Sequence, residues 1–242
     1  MKKFSVRLLA CFLAFALGSG AVIAWLFYQT RKVSEVKPPA PIASDCAAPK
    51  NFPALARQIA GTEKGKSGYF PKDAFAGGWK DADDFMNDWY GKHLRAMDET
   101  SLLDVSDGET EIYRFLWLRS FDHPVFVRVE RRRSQINLFT KELSGAGGYG
   151  PGKVSRNYSR NLDRTEWCEF LKLLRQADYW SLPTRKRVLS NDGAQWILEG
   201  VRENRYHIVD RFSPEAGEFR EACLYLLRLS GVEIDKLGDD LY

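Results

Sequence analysis

The sequence predicts an α+β fold: an antiparallel β-sheet of about six strands, a meander plus a C-terminal hairpin, with helices packed on one face. Strand-like segments occur in runs joined by short turns and do not alternate singly with helices. Segments with helical apolar periodicity lie before, between and after those runs. A long uncharged segment near the N-terminus predicts that a transmembrane helix precedes this fold.

The predicted membrane segment is residues 8–28, which hold no charged side chain. As a helix, a segment of this length would span roughly 30 Å, enough to cross the hydrocarbon core of a bilayer. A short basic N-tail, residues 1–7, precedes it. We expect an uncleaved signal anchor in the inner (cytoplasmic) membrane, with the downstream domain exported to the periplasm or the extracellular space. The alternative is a cleaved signal peptide, because Ser19–Ala21 resembles a cleavage site, but the apolar run continues through Phe27.

Two further regions follow the anchor. Residues 29–50 are rich in proline and alanine and predict an extended linker, and residues 51–242 predict the exported globular domain. The whole chain carries a net charge of +4, but residues 1–37 hold six basic side chains and one acidic side chain. The remainder therefore has a slight negative charge, so the basic isoelectric point is no argument for nucleic-acid binding.

Six segments have the composition and alternation of β-strands: 111–119, 125–131, 135–143, 153–161, 195–202 and 205–212. The first four are joined by short connections and predict an antiparallel meander. The last two predict a hairpin that turns at Glu203-Asn204. In the second strand, Val125, Val127 and Val129 are predicted to share one face.

Three segments predict helices. Asp81–Met97 carries an apolar stripe that includes Phe85 and His93. A second helix is expected after Asp163-Arg164-Thr165, where the aspartate can cap the first turn. A third is expected to start at Ser213-Pro214 and to stop at Gly231, a residue suited to the left-handed C-terminal position.

Residues 144–154 read SGAGGYGPGKV and contain G-x-x-x-x-G-K, which is close to the phosphate-binding loop of nucleotide hydrolases. Three features exclude that interpretation. Val154 stands where a magnesium-binding hydroxyl is needed, Pro151 lacks an amide for the phosphate, and no helical periodicity follows. We therefore predict a glycine-rich hairpin loop between antiparallel strands, and no nucleotide.

The last hairpin holds the richest charged cluster. A two-residue turn would pair Trp196 with Arg211 in a cation–π contact, and would place Glu199 and Asp210 on one face with His207 on the other. His207 and Asp210 would then not form a base–carboxylate pair. No motif of a known hydrolase or metalloenzyme is present, so the sequence assigns no catalytic residue, no cofactor and no metal site.

The charge along the domain is strongly segregated. Residues 73–111 hold three basic and eleven acidic side chains, residues 112–187 hold sixteen and seven, and residues 188–242 hold six and eleven. The basic middle could bind an anionic envelope polymer or lipid, or an envelope protein with an acidic face. It could instead pair internally with the acidic flanks. The candidate binding residues of the domain are Arg131, Arg156, Arg160, Arg185, Trp196 and Arg211.

The four cysteines leave two alternatives open. Cys11 lies in the anchor and Cys46 in the linker, whereas Cys168 and Cys223 lie on predicted helices. In an oxidising compartment Cys168 and Cys223 could form a disulfide. Alternatively, Cys223 is a small core residue and Cys168 lies at the edge of the core.

These observations favour a non-catalytic binding or interaction module of the cell envelope, attached to the membrane through residues 8–28. Two alternatives are an exported hydrolase with an unidentified site and a structural subunit of a membrane assembly. A cleft that gathers His207, Asp210 or Glu199 with a serine would favour the hydrolase. A flat basic face would favour binding.

Overall fold

The computed structural model describes residues 46, 52, 55–77, 79–186, 192–232, 234 and 241. All of them belong to one structural unit, Ala43–Tyr242. The predicted anchor and most of the predicted linker lie outside the described residues. Within the described residues, no helix combines the length and the apolar character needed to cross a membrane.

The sheet has seven strands, and every neighbouring pair is antiparallel. The strands are β1 Arg57–Gln58, β2 Thr110–Arg119, β3 Val125–Arg132, β4 Gln135–Leu143, β5 Val154–Asn161, β6 Ala194–Arg202 and β7 Arg205–Phe212. Their order across the sheet is β1-β7-β6-β2-β3-β4-β5. The six predicted strands are confirmed to within one residue at each end. The short β1 is an addition that the sequence analysis did not predict.

Three α-helices accompany the sheet: α1 Ala82–Ala96, α2 Arg164–Gln176 and α3 Glu218–Leu229. Short 3₁₀ turns occupy Leu102–Asp104 and Tyr179–Ser181. Helix α2 begins where predicted, with Asp163 and Glu166 forming a reciprocal capping box. Helix α3 stops before Gly231, which has a φ of 73° as expected for a left-handed terminator.

The predicted start of α3 at Ser213 is wrong. The Ser213 amide donates to the carbonyl of Ala194 at 2.8 Å, and its hydroxyl accepts from the Ala194 amide at 2.9 Å. Ser213 therefore continues the pairing between β6 and β7, and the helix starts only after Gly217.

The prediction that the helices pack on one face of the sheet is also wrong. Side chains of β2 alternate between two apolar clusters: Phe115 and Trp117 contact the cluster that includes α2 and α3, whereas Leu116 and Leu118 contact the cluster that includes α1. All ten residues of β2 are buried. A central strand that is apolar on both sides needs cover on both sides, so the helices divide between the two faces.

A disulfide joins Cys46 to Cys168 in α2, across 122 residues, with a Cα–Cα distance of 4.8 Å. The predicted alternative of a Cys168–Cys223 disulfide is therefore wrong. Cys223 is a free, fully buried thiol of α3, as the other alternative expected. The disulfide connects the end of the predicted linker to the domain.

The predicted hairpin register is confirmed, with Trp196 opposite Arg211 and Glu199 opposite Ile208. Glu203 and Asn204 both have positive φ, 52° and 56°, as a two-residue turn of this kind requires. The predicted cation–π contact is not formed. Arg211 turns away to donate to backbone carbonyls and lies 5.6 Å from the ring of Phe219, while Arg220 lies 5.8 Å from the ring of Trp196.

Candidate functional site

In the structure, the arginines that the sequence suggested as binding residues contact other residues of the same domain. Arg131 donates to buried Glu111 at 2.8 Å. Arg160 forms a two-bond pair with Glu166, at 3.0 Å and 2.8 Å. Arg156 lies on the same face of β5 as Arg160 and donates to the carbonyl of Ser230 at 3.1 Å.

The other predicted residues lie elsewhere. Arg185 forms an ion pair with Asp210 at 3.3 Å. Arg211 donates to the carbonyls of Thr184 and Pro183, at 3.0 Å and 2.9 Å. Trp196 is fully buried in the core. The six residues therefore do not form one surface, and the contacts agree with the alternative in which the basic middle pairs within the fold. Their role in ligand binding stays a prediction.

A different feature among the described residues is a groove of about 840 Å³. One wall comes from α1 and the residue before it, and consists of Asp81, Asp84, Phe85, Asp88, Trp89 and Lys92. The other wall comes from the glycine-rich loop and the ends of β2, β6 and β7, and includes Ser120, Gly148, Tyr149, Asp192, Gly193 and Phe212. We call this concavity the aromatic groove.

Large aromatic side chains stand exposed along both walls. The exposed fractions of Phe85 and Tyr149 are 56% and 65%. Each contacts a further exposed ring just outside the groove: Trp79 lies 6.1 Å from Phe85, and Phe121 lies 6.0 Å from Tyr149, measured between ring centroids. Clusters of exposed large apolar side chains around a concavity are typical of sites of interaction.

The glycine-rich loop is held against α1 by three side chains of that helix. Trp89 Nε1 and His93 Nε2 both donate to the carbonyl of Gly147, at 2.8 Å and 3.1 Å. Lys92 donates to the carbonyl of Tyr149. These contacts fix the position of Tyr149, and therefore the width of the groove. The prediction of a hairpin loop between antiparallel strands is confirmed.

Gly147 is needed for close approach of two backbone segments. A Cβ atom at this position would lie 2.5 Å from the carbonyl oxygen of Arg119 in β2. The glycine that suggested a phosphate-binding loop therefore has a packing role, since it lets the loop contact the end of β2.

His93 is a fully buried structural residue. Burial lowers the pKa of His93 to about 4, with a smaller contribution from the nearby charge of Lys92. The imidazole is thus neutral at pH 7. Because a carbonyl can only accept, the hydrogen bond to Gly147 places the ring proton on Nε2.

The charge of the groove is predominantly negative. Lys66 on its rim forms an ion pair with Asp88 at 2.6 Å, and hydrogen bonding to Asp88 raises the pKa of Lys66. Lys92 is bound to the loop. The carboxylates of Asp81 and Asp84 form no hydrogen bond or ion pair within the part of the chain that the structure describes. The groove therefore offers carboxylates beside aromatic rings.

The charged cluster of the last hairpin lies inside the fold. Asp210 is 3% exposed, accepts from the Tyr90 hydroxyl at 3.1 Å and faces Arg185. Burial raises the pKa of Asp210 to about 6. His207 lies on the opposite face of β7, with its ring centroid 5.1 Å from that of Tyr179, as predicted. A histidine–carboxylate pair is therefore not formed here.

The aromatic groove was not predicted from the sequence. The helical periodicity placed Phe85 on the apolar stripe of the first helix, and the prediction for residues 144–154 rested on their glycines. One signal was available: α1 carries more large apolar residues than one buried face can take, because Phe85 and Trp89 continue the stripe around the helix.

No group of three or more histidine, cysteine, aspartate or glutamate side chains in the described residues is arranged to hold a metal ion. Comparison with protein-family models finds no match to this chain. A search of curated proteins finds no match either.

Proposed function

We propose that this chain is a membrane-anchored, non-catalytic binding module of the cell envelope, and that the aromatic groove is its docking site for a partner protein. The uncharged residues 8–28 support an inner-membrane anchor with an exported domain. The Cys46–Cys168 disulfide supports export, because disulfides persist in oxidising compartments such as the periplasm or the extracellular space.

The observation that carries the proposal is the exposure of Phe85 and Tyr149 on opposite walls of one groove. Aromatic side chains are enriched among the residues that dominate the energetics of protein interfaces. Burying both rings under a partner would remove apolar surface from water on each wall. A groove of about 840 Å³ also provides the concave shape in which such contacts are strongest.

Binding is favoured over hydrolysis by the surroundings of Ser120, the serine that lines the groove. Its hydroxyl donates to the carbonyl of Gly193 at 3.0 Å. The buried His93 is bound to Gly147 and is not a partner of Ser120. A serine nucleophile needs a base within hydrogen-bonding distance, and none of the described histidines contacts Ser120.

A protein partner is favoured over an anionic envelope polymer or lipid. Arg131, Arg160 and Arg185 already hold internal carboxylates. An anionic ligand would have to displace those partners before binding. The accessible aromatic groove requires no such exchange, and we propose no nucleic acid, nucleotide or cofactor for it.

The test is co-isolation of partners from native membranes in mild detergent, with the full chain tagged after Tyr242. Three forms are compared: the natural chain, Phe85→Ser with Tyr149→Ser, and Tyr158→Ser, which removes an exposed ring of β5 outside the groove. We expect a stoichiometric partner that the double variant loses and the Tyr158 variant keeps. Equal recovery with all three forms would reject the groove. A further form, in which an unrelated membrane span replaces residues 8–28, tests the structural-subunit alternative, which expects loss of the partner from that form only.

A further inference from the structure

We infer that the aromatic groove recognises a basic, extended segment of its partner protein, in which lysine or arginine side chains lie beside apolar ones. This inference rests on the proposed docking function and specifies the chemistry of its ligand. Three features of the groove carry it: the excess of acidic over basic side chains, the two carboxylates of Asp81 and Asp84 that form no hydrogen bond or ion pair within the described residues, and the exposed rings in the same groove.

The lining of the groove holds more acidic than basic side chains. Four aspartates line the groove, Asp81, Asp84, Asp88 and Asp192, together with two lysines. Lys66 is paired with Asp88, and Lys92 donates to the carbonyl of Tyr149. The groove therefore has a net negative charge, and a cationic ligand is electrostatically complementary to it.

Asp81 has no visible task in the fold. It is the N-cap residue of α1, but its side chain makes no capping hydrogen bond. Its φ of 63° places it in the left-handed region, which aspartate and asparagine adopt more readily than most residues other than glycine. Its neighbour Asp83 shows the contrast, because it accepts from the amides of Asp73 and Phe75, at 3.0 Å and 2.7 Å.

Asp84 completes a stripe of charge along the groove. Asp81, Asp84 and Asp88 lie at spacings of three and four residues, so their side chains line one side of α1. Carboxylates at such spacings repel one another. A basic ligand would relieve this repulsion, whereas a neutral one would leave it in place.

The exposed rings fit the same ligand. Ammonium and guanidinium groups bind over aromatic faces. Phe85 follows Asp84 in α1 and lies 6.1 Å from the ring of Trp79, and Tyr149 lines the same groove. The stems of lysine and arginine, and intervening prolines, can pack on these rings as they do in other aromatic grooves that bind extended peptides.

The experiment measures binding of two fluorescein-labelled peptides to the full chain in an uncharged detergent, by fluorescence anisotropy at low salt. One peptide alternates lysine and proline, and the other alternates glutamate and proline. Both favour an extended conformation and differ only in charge. We expect the lysine peptide to bind roughly tenfold or more tightly than the glutamate peptide, and its affinity to fall as salt is added.

Two double variants test whether the lysine peptide binds in the groove. Asp81→Asn with Asp84→Asn should weaken the lysine peptide roughly tenfold, and asparagine is tolerated at the left-handed position of Asp81. Glu215→Gln with Glu218→Gln changes the net charge equally at exposed positions outside the groove, and should leave the affinity nearly unchanged. An equal loss in both double variants would overturn the inference, since binding would then follow overall charge.

Two other outcomes would also overturn it: equal binding of the two peptides, or binding of a neutral N-acetylglucosamine oligosaccharide without binding of the lysine peptide. The co-isolation experiment separates the two proposals. If the Phe85 and Tyr149 substitutions remove a partner while the lysine peptide does not bind, the docking function stands and the basic ligand is rejected. If the groove substitutions remove no partner, the docking function itself fails.

Discussion

The guanidinium of Arg114 holds the carboxylate of Glu199 through two hydrogen bonds, at 2.7 Å and 3.0 Å, with both side chains fully buried. The two residues are direct partners across β2 and β6. The Tyr206 hydroxyl also donates to Glu199, and Arg114 donates to the carbonyl of Thr100 at 2.6 Å. The pair therefore lies in a hydrogen-bonded network between the sheet and the segment that follows α1.

Removal of one member of this pair should be strongly destabilising. Arg114→Met leaves Glu199 as a buried charge without its main partner, and we expect it to lower the free energy of unfolding by about 3–5 kcal/mol. Urea denaturation measures this loss. The control is Arg114→Met with Glu199→Leu, which removes both charges and should cost much less than the sum of the two single changes. Additive losses would show that the pair contributes little.

The pH dependence of stability should follow the two buried histidines. Burial lowers the pKa of His93 and of His207 from 6.5 to about 4. The unfolded chain therefore binds more protons than the folded one between these values. The stability that the neutral histidines contribute is present above pH 6.5 and is lost as the pH falls to 4, by up to roughly 3 kcal/mol for each residue.

Asp210 should oppose this trend. Burial raises its pKa from 3.8 to about 6, so its contribution is present below pH 3.8 and is lost as the pH rises through 6. Asp210→Asn removes that opposing contribution. We expect the increase in stability between pH 4 and pH 6.5 to become steeper in this variant, as measured by urea denaturation over a pH series. A smaller increase in stability in this variant than in the natural chain would contradict the raised pKa of Asp210.

The close contact at Gly147 should make that position intolerant of a methyl group. In Gly147→Ala the added Cβ would meet backbone atoms of Arg119 and Leu118, and we expect a loss of about 1–3 kcal/mol together with weaker partner binding. Gly150→Ala is the matched control in the same loop, because a Cβ there meets no atom within 4 Å. Thermal unfolding of both variants distinguishes them. Equal losses of stability in the two variants would mean that loop flexibility, and not contact with β2, causes the loss.

The disulfide should contribute measurably to stability. Its closed loop of 122 residues is long, and we expect reduction to lower the free energy of unfolding by about 2–5 kcal/mol. The measurement is thermal unfolding with and without a thiol reductant. Cys46→Ser with Cys168→Ser serves as the control, since it should match the reduced protein and show no response to reductant. An unaffected natural chain would mean that the disulfide adds no stability.

The strands were predictable because their signals are local. Alternation fixes which side chains of a strand share a face, and Glu203-Asn204 fixes the turn, so the register of Trp196 against Arg211 followed directly. The face of the sheet on which each helix packs is not determined by local sequence. It depends on the burial of both sides of β2, and alternation within one segment cannot report that.

The candidate site was not predictable for a related reason. The exposure of Phe85 depends on where α1 meets the sheet, and that of Tyr149 depends on the contact between Gly147 and β2. The basic residues that the sequence suggested were identifiable by charge, but their internal partners, such as Glu166 for Arg160, became apparent only in three dimensions. Local charge therefore identifies basic residues but does not show which of them pair within the fold.

The most direct test of the aromatic groove is photo-cross-linking in intact cells. A photoreactive phenylalanine analogue replaces Phe85 in the full chain, and a second form carries it at Tyr158 on β5, an exposed ring outside the groove. We expect a discrete cross-linked product from position 85 that is weakened by Asp81→Asn with Asp84→Asn, and no such product from position 158. Products of equal intensity from the two positions, or none from position 85, would contradict the groove as the docking site.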